Sequence, residues 1–240
     1  MTEESLKDRY ARVLDEVADA CRASGRTRES VRLIAISKFH TADDMAAVAA
    51  LGQVDFGENY VQEALEKQRI LSEVPACQSI RWHMTGHVQS RKAAQVAGAF
   101  SLIQTLDSQK LADALEKHLV GKDQRQDVLL EVNVGEEEQK AGIMACALPE
   151  LADYVLEHCP HLNLLGLMCL PPVFDAGDAA RPYFAQLRHL AEDLRVRTGK
   201  ALPELSMGMS GDFAGAIAEG ATMVRIGTSI FGLRPPRQMA

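Results

Sequence analysis

Positive charge is not in excess in this sequence. Its 26 Lys and Arg stand against 33 Asp and Glu, a formal net charge of −7 at pH 7. Nucleic-acid binding leaves a basic patch or stripe, and none stands out, so no nucleic-acid partner is expected. There is no C-x-x-C either. The five cysteines (Cys21, Cys77, Cys146, Cys159 and Cys169) are scattered and odd in number. That argues against a zinc site or a disulfide framework and for free thiols in a reducing cytosol. No apolar run approaches the roughly 20 residues that span a bilayer. Residues 1–12 mix acids and bases without an apolar segment, so no signal peptide is read there and a cytoplasmic protein is expected. No Pro/Gly/Ser-rich linker, internal repeat or low-complexity tract divides the chain. The weakest stretch, 171–181 (PPVFDAGDAAR), reads as a loop, leaving residues 1–240 as one domain.

What recurs is a rhythm of short apolar runs, each followed by an amphipathic helical segment. The runs are 32–37 (RLIAIS), 53–56 (QVDF), 79–84 (SIRWHM), 101–105 (SLIQT), 127–134 (DVLLEVNV), 163–168 (NLLGLM), 204–207 (ELSM) and 223–226 (MVRI). Short runs that are apolar on both faces and bounded by turn residues are the mark of buried parallel strands. Helices are expected over 5–24, after a Thr41 cap with Asp44 three residues on, over 109–120 with Gly121 as stop, over 181–198 before Gly199, and as a last turn at 229–232. Strands alternating with helices imply right-handed βαβ crossovers. Eight such units in this length fit a closed (β/α)8 TIM barrel with an extra N-terminal helix, the alternative being an open doubly wound sheet.

In such barrels chemistry gathers at the C-terminal ends of the strands. Two features meet there. The loops after the last two strands carry G-M-S-G and G-T-S, glycines for close backbone approach and hydroxyls to donate, where barrels often hold a phosphate. Across from them one lysine, Lys38, ends the otherwise apolar I-A-I-S-K. Desolvated, its amine would be nucleophilic toward a carbonyl. Lysine plus phosphate cradle suits pyridoxal 5'-phosphate (PLP). Each element also has a plain reading: Lys38 as a solvated strand end, the glycine loops as ordinary βα turns, and His83 as a hydrogen-bonded core histidine. On the same reading the methionines at 144, 168, 207 and 209 are barrel packing and Glu136–Glu138 a solvated loop.

The segments LIAISK, DFGENYVQE, WHMTGHVQ, LLEVNVGEEEQKAGI, LLGLMCLPP, LSMGMSGDFAGAIAEG and VRIGTSIFG run almost from end to end. In that order they resemble the YggS/PROSC family of PLP homeostasis proteins, related to the N-terminal barrel of alanine racemase. The resemblance implies a fold-type III barrel and a Schiff base between PLP and Lys38. It implies Ser210, Gly227 and Thr228 at the phosphate, and Arg225 facing the pyridine nitrogen. Asn59 and His83 would line the mouth, with Ser206, Met207, Gly208 and Met209 beneath ring and phosphate. One departure is Gln89-Ser90-Arg91-Lys92, where relatives often read Q-x-N-K. Arginine for asparagine there puts in doubt any ligand or partner contact inferred at that loop. Related racemases add a C-terminal β domain carrying a second base and the dimer contacts, and the chain stops at Ala240. Candidates for another base are Tyr60, His83 and His87. The expectation is a monomer that holds, buffers or delivers PLP, with PLP-dependent apo-enzymes as partners. The alternatives are an amino-acid racemase or lyase, and an aldolase-type lysine working without PLP.

Overall fold

In the computed structural model, which describes residues 4–172 and 177–233, all eight predicted runs are strands. They are β1 (Arg32–Ile36), β2 (Asp55–Glu58), β3 (Arg81–Met84), β4 (Leu102–Leu106), β5 (Gln126–Asn133), then, after a two-residue strand β6 (Ile143–Met144), β7 (Leu162–Cys169), β8 (Glu204–Ser206) and β9 (Met223–Ile226). Every pairing is parallel. The order β4-β3-β2-β1-β9-β8-β7-β5 is closed by β4 against β5, so the sheet is a barrel and not the open alternative. The unforeseen β6 pairs with Val132 and Asn133 at the top of β5. The second strand lies two residues later than its predicted run. Gln53 is taken out of the ladder by its side chain, which donates to the Leu33 and Asp55 carbonyls, while Glu58 pairs with Met84.

Seven helices lie between the eight barrel strands: α2 (Ala42–Ala50), α3 (Val61–Leu71), α4 (Ala93–Val96), α5 (Gln109–Val120), α6 (Leu148–His158), α7 (Arg181–Thr198) and α8 (Phe213–Ala218). The expected Thr41 and Gly199 ends form: Thr41 and Asp44 make a reciprocal capping box, and α7 ends at Gly199 with φ +66°. Ser108 caps α5, accepting from Leu111. The middle of the predicted loop at 171–181 lies outside the described residues, and Gly177–Ala180 form a 3-10 turn leading into α7.

Among the described residues, β9 is followed by α9 (Thr228–Phe231), one turn long. The N-terminal helix α1 (Leu6–Ala23) joins the outer ring, packing on α8 and α9. It buries Tyr10, Val13, Val17 and Cys21, a stripe at helical spacing, each of the valines contributing about 1.5 kcal/mol or more. Tyr10 Oη donates to Gln53 at 3.0 Å, and Arg9 donates to the Ile230 carbonyl at 2.9 Å. The main core fills the space between strands and helices. A second apolar layer, Ile34, Leu102, Leu129, Met168 and Met223, plugs the barrel interior.

Candidate active site at the barrel mouth

Side chains along a strand alternate, so the residues two positions beyond that apolar plug also point inward, one layer nearer the C-terminal ends. Within the strands they are Ile36, Gln104, Glu131 and Arg225, three of the four polar where the layer below is apolar throughout. A buried polar layer must satisfy itself. Arg225, 4% exposed, donates from Nη1 to Ser206 Oγ at 2.7 Å and from Nη2 to the Cys169 carbonyl at 2.8 Å. Ser206 Oγ donates in turn to Gln104 Oε1 at 2.6 Å, and Gln104 Nε2 faces His83 Nδ1 at 3.2 Å. Nδ1 is therefore the acceptor, and Nε2–H donates to Asp55 Oδ1 at 2.8 Å. Burial lowers the His83 pKa despite Asp55, consistent with a neutral ring. The chain Asp55–His83–Gln104–Ser206–Arg225 thus runs up the barrel interior and fixes the guanidinium from below.

Above this layer opens a cavity of about 440 Å³, within the usual range for a small-molecule site. It brings together Lys38, Asn59, Met209, Ser210, Arg225, Gly227 and Thr228, seven of the eleven residues expected from the sequence. His83 and Ser206 do not line it, being one layer deeper in the relay; Met207 is fully buried and Gly208 shapes the loop. Gly208 sits at φ +91°, and a Cβ there would lie 2.6 Å from Ala216 Cβ, so only glycine lets the Ser210 loop lie down on α8. Gly227 presses on β1: a Cβ would come within 3.0 Å of the Ile36 carbonyl oxygen. Of the four methionines read as packing, Met168 and Met207 are core, Met144 is half-buried in β6, and Met209 is 37% exposed at the cavity.

Lys38 leaves β1 on a tight turn. Phe39 takes φ +68°, a left-handed conformation costing a non-glycine residue on the order of 1 kcal/mol. Its ring meets Tyr60 at 5.1 Å.

Three titratable or polar groups in the cavity escaped the sequence reading: Thr85, Glu131 and Lys140. Thr85 Oγ1 donates to Asn59 Oδ1 at 3.0 Å, holding that amide in place. Glu131 is 4% exposed, and its Oε2 has no hydrogen-bond partner. Burial, reinforced by Asp107 and opposed by Arg225, pushes its carboxyl up to about 7. Lys140 arrives on the loop between β5 and β6. Asn133 clamps that loop, donating to the Glu137 carbonyl at 2.8 Å and accepting from its N–H at 3.2 Å. Lys140 Nζ pairs with Glu137 at 2.8 Å and reaches the Pro171 carbonyl at 3.2 Å. Glu131 is the one with a signal, a lone carboxylate inside D-V-L-L-E-V-N-V. Tyr60 and His87 line a neighbouring cavity that shares Asn59 and do not face this one.

The donor set suits PLP. An amine stands on one wall, the Ser210 and Thr228 hydroxyls and Gly227 line another, a fixed cation forms the floor, and Glu131, a buried carboxylate with an orphaned oxygen, lines the space.

The family model for the alanine racemase N-terminal domain matches residues 14–235. A pyridoxal phosphate homeostasis protein of Aquifex aeolicus is 41% identical over 227 residues, covering 95% of this chain and 97% of its own length. One from Pseudomonas aeruginosa is 39% identical over 230 residues, covering 96% of each. The structure of PipY from Synechococcus elongatus, with PLP bound, is 35% identical with a TM-score of 0.78 over 90% of this chain and 100% of that one. An alanine racemase of Corynebacterium glutamicum shares the fold, at 16% identity and a TM-score of 0.63, over 95% of this chain and 63% of its own. With closed parallel barrel, lysine-bearing mouth and end-to-end relatives in agreement, the chain belongs to the pyridoxal phosphate homeostasis protein family, built on the alanine racemase N-terminal barrel.

Proposed function

We propose that this protein holds PLP in the barrel mouth, bonded to Lys38, and serves PLP homeostasis by keeping and releasing it to PLP-dependent apo-enzymes. The observation that carries this is one cavity in which Lys38 stands with Ser210, Gly227 and Thr228, over the buried Arg225. When bound, PLP supplies an aldehyde carbon, which a lysine amine attacks to give a C=N linkage and one water, and a phosphate that anchors it. The chain's own parts have separable tasks. The hydroxyls of Ser210 and Thr228 and the backbone at Gly227 grip the phosphate. Arg225 only donates, so it faces the pyridine nitrogen without protonating it. Asn59, oriented by Thr85, lines the wall beside Lys38.

The test is the absorption spectrum of purified protein with added PLP, followed by borohydride reduction and peptide mass mapping. A visible band that reduces to an adduct on Lys38 supports the reading. A protein that stays colourless with PLP present overturns it and leaves an aldolase-type lysine to examine. Turnover is a second reading, favoured by Glu131 and Lys140, which add two titratable groups to the same cavity. Exchange of an amino acid's α-proton for deuterium in the presence of protein and PLP would establish it.

A further inference from the structure

The motif D-F-G-E-N-Y-V-Q-E contributes Asn59 to the cavity, but its two glutamates lie outside it. Both belong to one buried network with Lys67 of α3. Lys67 is 6% exposed, on the inner face of its helix. Its Nζ donates to three acceptors, each at 2.7 Å: Glu58 Oε1, Glu63 Oε1 and the Ser37 carbonyl. Ser37 Oγ donates to Glu58 Oε1 at 2.7 Å, and the Phe39 N–H donates to Glu63 Oε1 at 2.6 Å. The residues on both sides of Lys38 are therefore tied, Ser37 through its carbonyl and hydroxyl and Phe39 through its amide. The second tie falls on the residue whose backbone is left-handed.

Desolvating an ammonium and two carboxylates is costly, and well-packed apolar side chains of similar volume hold a helix to a strand as firmly. Apolar side chains could not accept the Phe39 N–H or donate to the Ser37 carbonyl. What the charged set adds is control of the turn that carries Lys38. We infer that Glu63 and Lys67, with Glu58, are positioning residues that hold the Ser37–Phe39 turn so that the Lys38 amine is aimed at the aldehyde carbon of the bound cofactor. The inference rests on the proposed binding of PLP at Lys38.

Two ligands separate aim from cavity shape. PLP can bond to Lys38, whereas pyridoxine 5'-phosphate, with a hydroxymethyl group for the aldehyde, is held by the same phosphate and ring contacts alone. Affinities for both are measured by fluorescence titration in the wild type and in the Lys67→Met, Glu63→Ala and Glu63→Gln variants. Lys67→Met and Glu63→Ala are expected to weaken PLP roughly tenfold each, the effect of one lost hydrogen bond to a charged partner, and to leave pyridoxine 5'-phosphate within about twofold. Glu63→Gln, whose amide oxygen still accepts the Phe39 N–H, is expected to restore most of the PLP affinity. Should Lys67→Met fail to fold, Glu63→Ala decides, because the Lys67–Glu58 pair survives in it. Equal losses for both ligands would make the network a support of the cavity and overturn the inference, as would unchanged PLP affinity in Glu63→Ala. A wild type that binds the two ligands equally would overturn the role of Lys38 itself, and the inference with it.

Discussion

Replacing Glu131 by glutamine changes the charge at the cavity floor with little change of shape, and its effect on stability has a computable sign. The Glu131 carboxyl ionises at about 7 in the folded protein against 4.5 for the unperturbed group. The fold therefore holds that proton more tightly than the unfolded chain does, by about 2.5 decades. At 1.36 kcal/mol per decade this is about 3 kcal/mol. Below pH 4.5 both states are protonated and Glu131 adds no pH dependence. Between 4.5 and about 7 the unfolded chain releases the proton while the fold retains it, so stability falls as pH rises and then levels off. Glutamine stays neutral throughout. Glu131→Gln should therefore be more stable than wild type by about 1 kcal/mol at pH 5 and about 3 kcal/mol above pH 7, in the protein without PLP. Urea unfolding followed by circular dichroism at pH 5, 7 and 8.5 measures this, the other titrating groups cancelling in the difference. A difference that stays constant across that range would show that Glu131 ionises as an ordinary surface carboxylate and would refute its placement as a buried, half-partnered acid.

Three further outcomes follow from the site. Ser210→Ala with Thr228→Ala should weaken PLP by about 100-fold or more, two hydrogen bonds to a charged group being lost, and leave pyridoxal nearly unaffected; equal losses for the two ligands would displace the phosphate cradle. Lys38→Ala should abolish the borohydride-fixable adduct at that position while retaining phosphate-anchored PLP; a wild-type adduct that maps to Lys140 would refute the assignment. Gly208→Ala puts a Cβ 2.6 Å from Ala216 at φ +91°, and should destabilise the fold by about 2 kcal/mol or more, read from thermal unfolding; a neutral substitution would mean that the Ser210 loop does not lie on α8 as described.

The barrel was legible because parallel strands buried on both faces read as apolar runs whatever their neighbours, and because Thr41, Ser108 and Gly199 mark helix ends by local chemistry. The cavity residues near strand ends were legible for a related reason: Lys38, Ser210 and Thr228 lie in the short turns that follow β1, β8 and β9. What could not be read depends on register or on tertiary return. Glu131 faces the cavity only because Leu129 faces the plug, and nothing local tells which face of a strand buried on both sides is inward. Lys140 reaches the mouth because the Asn133 clamp and the β5–β6 pairing fold a polar loop back over the barrel. Of the two readings given to His83, mouth residue or hydrogen-bonded core histidine, the second is what the structure shows: it is buried one layer down, with its ring nitrogens taken by Asp55 and Gln104. That α1 packs on α8 and α9 and joins the outer ring is a tertiary contact that no local signal in the sequence announces.

The relay beneath Arg225 bears on why such a cavity would hold PLP more readily than exploit it. With Arg225 facing the pyridine nitrogen as proposed, a guanidinium that never gives up its proton would leave that nitrogen unprotonated and weaken the ring as a sink for electrons. The structure keeps that arrangement from varying. Arg225 is anchored by Ser206 and the Cys169 carbonyl, Ser206 by Gln104, and Gln104 by a histidine that burial holds neutral against Asp55. No member of the chain can rotate without leaving a buried polar atom unpaired, at a cost of roughly 1–3 kcal/mol. In the proposed placement the ring nitrogen would meet this fixed donor, while Glu131, whose carboxyl ionises at about 7, lines the same cavity. On the proposed reading, a fixed donor and a titratable carboxyl in one cavity would let pH adjust affinity, and so release, without making the ring a better electron sink.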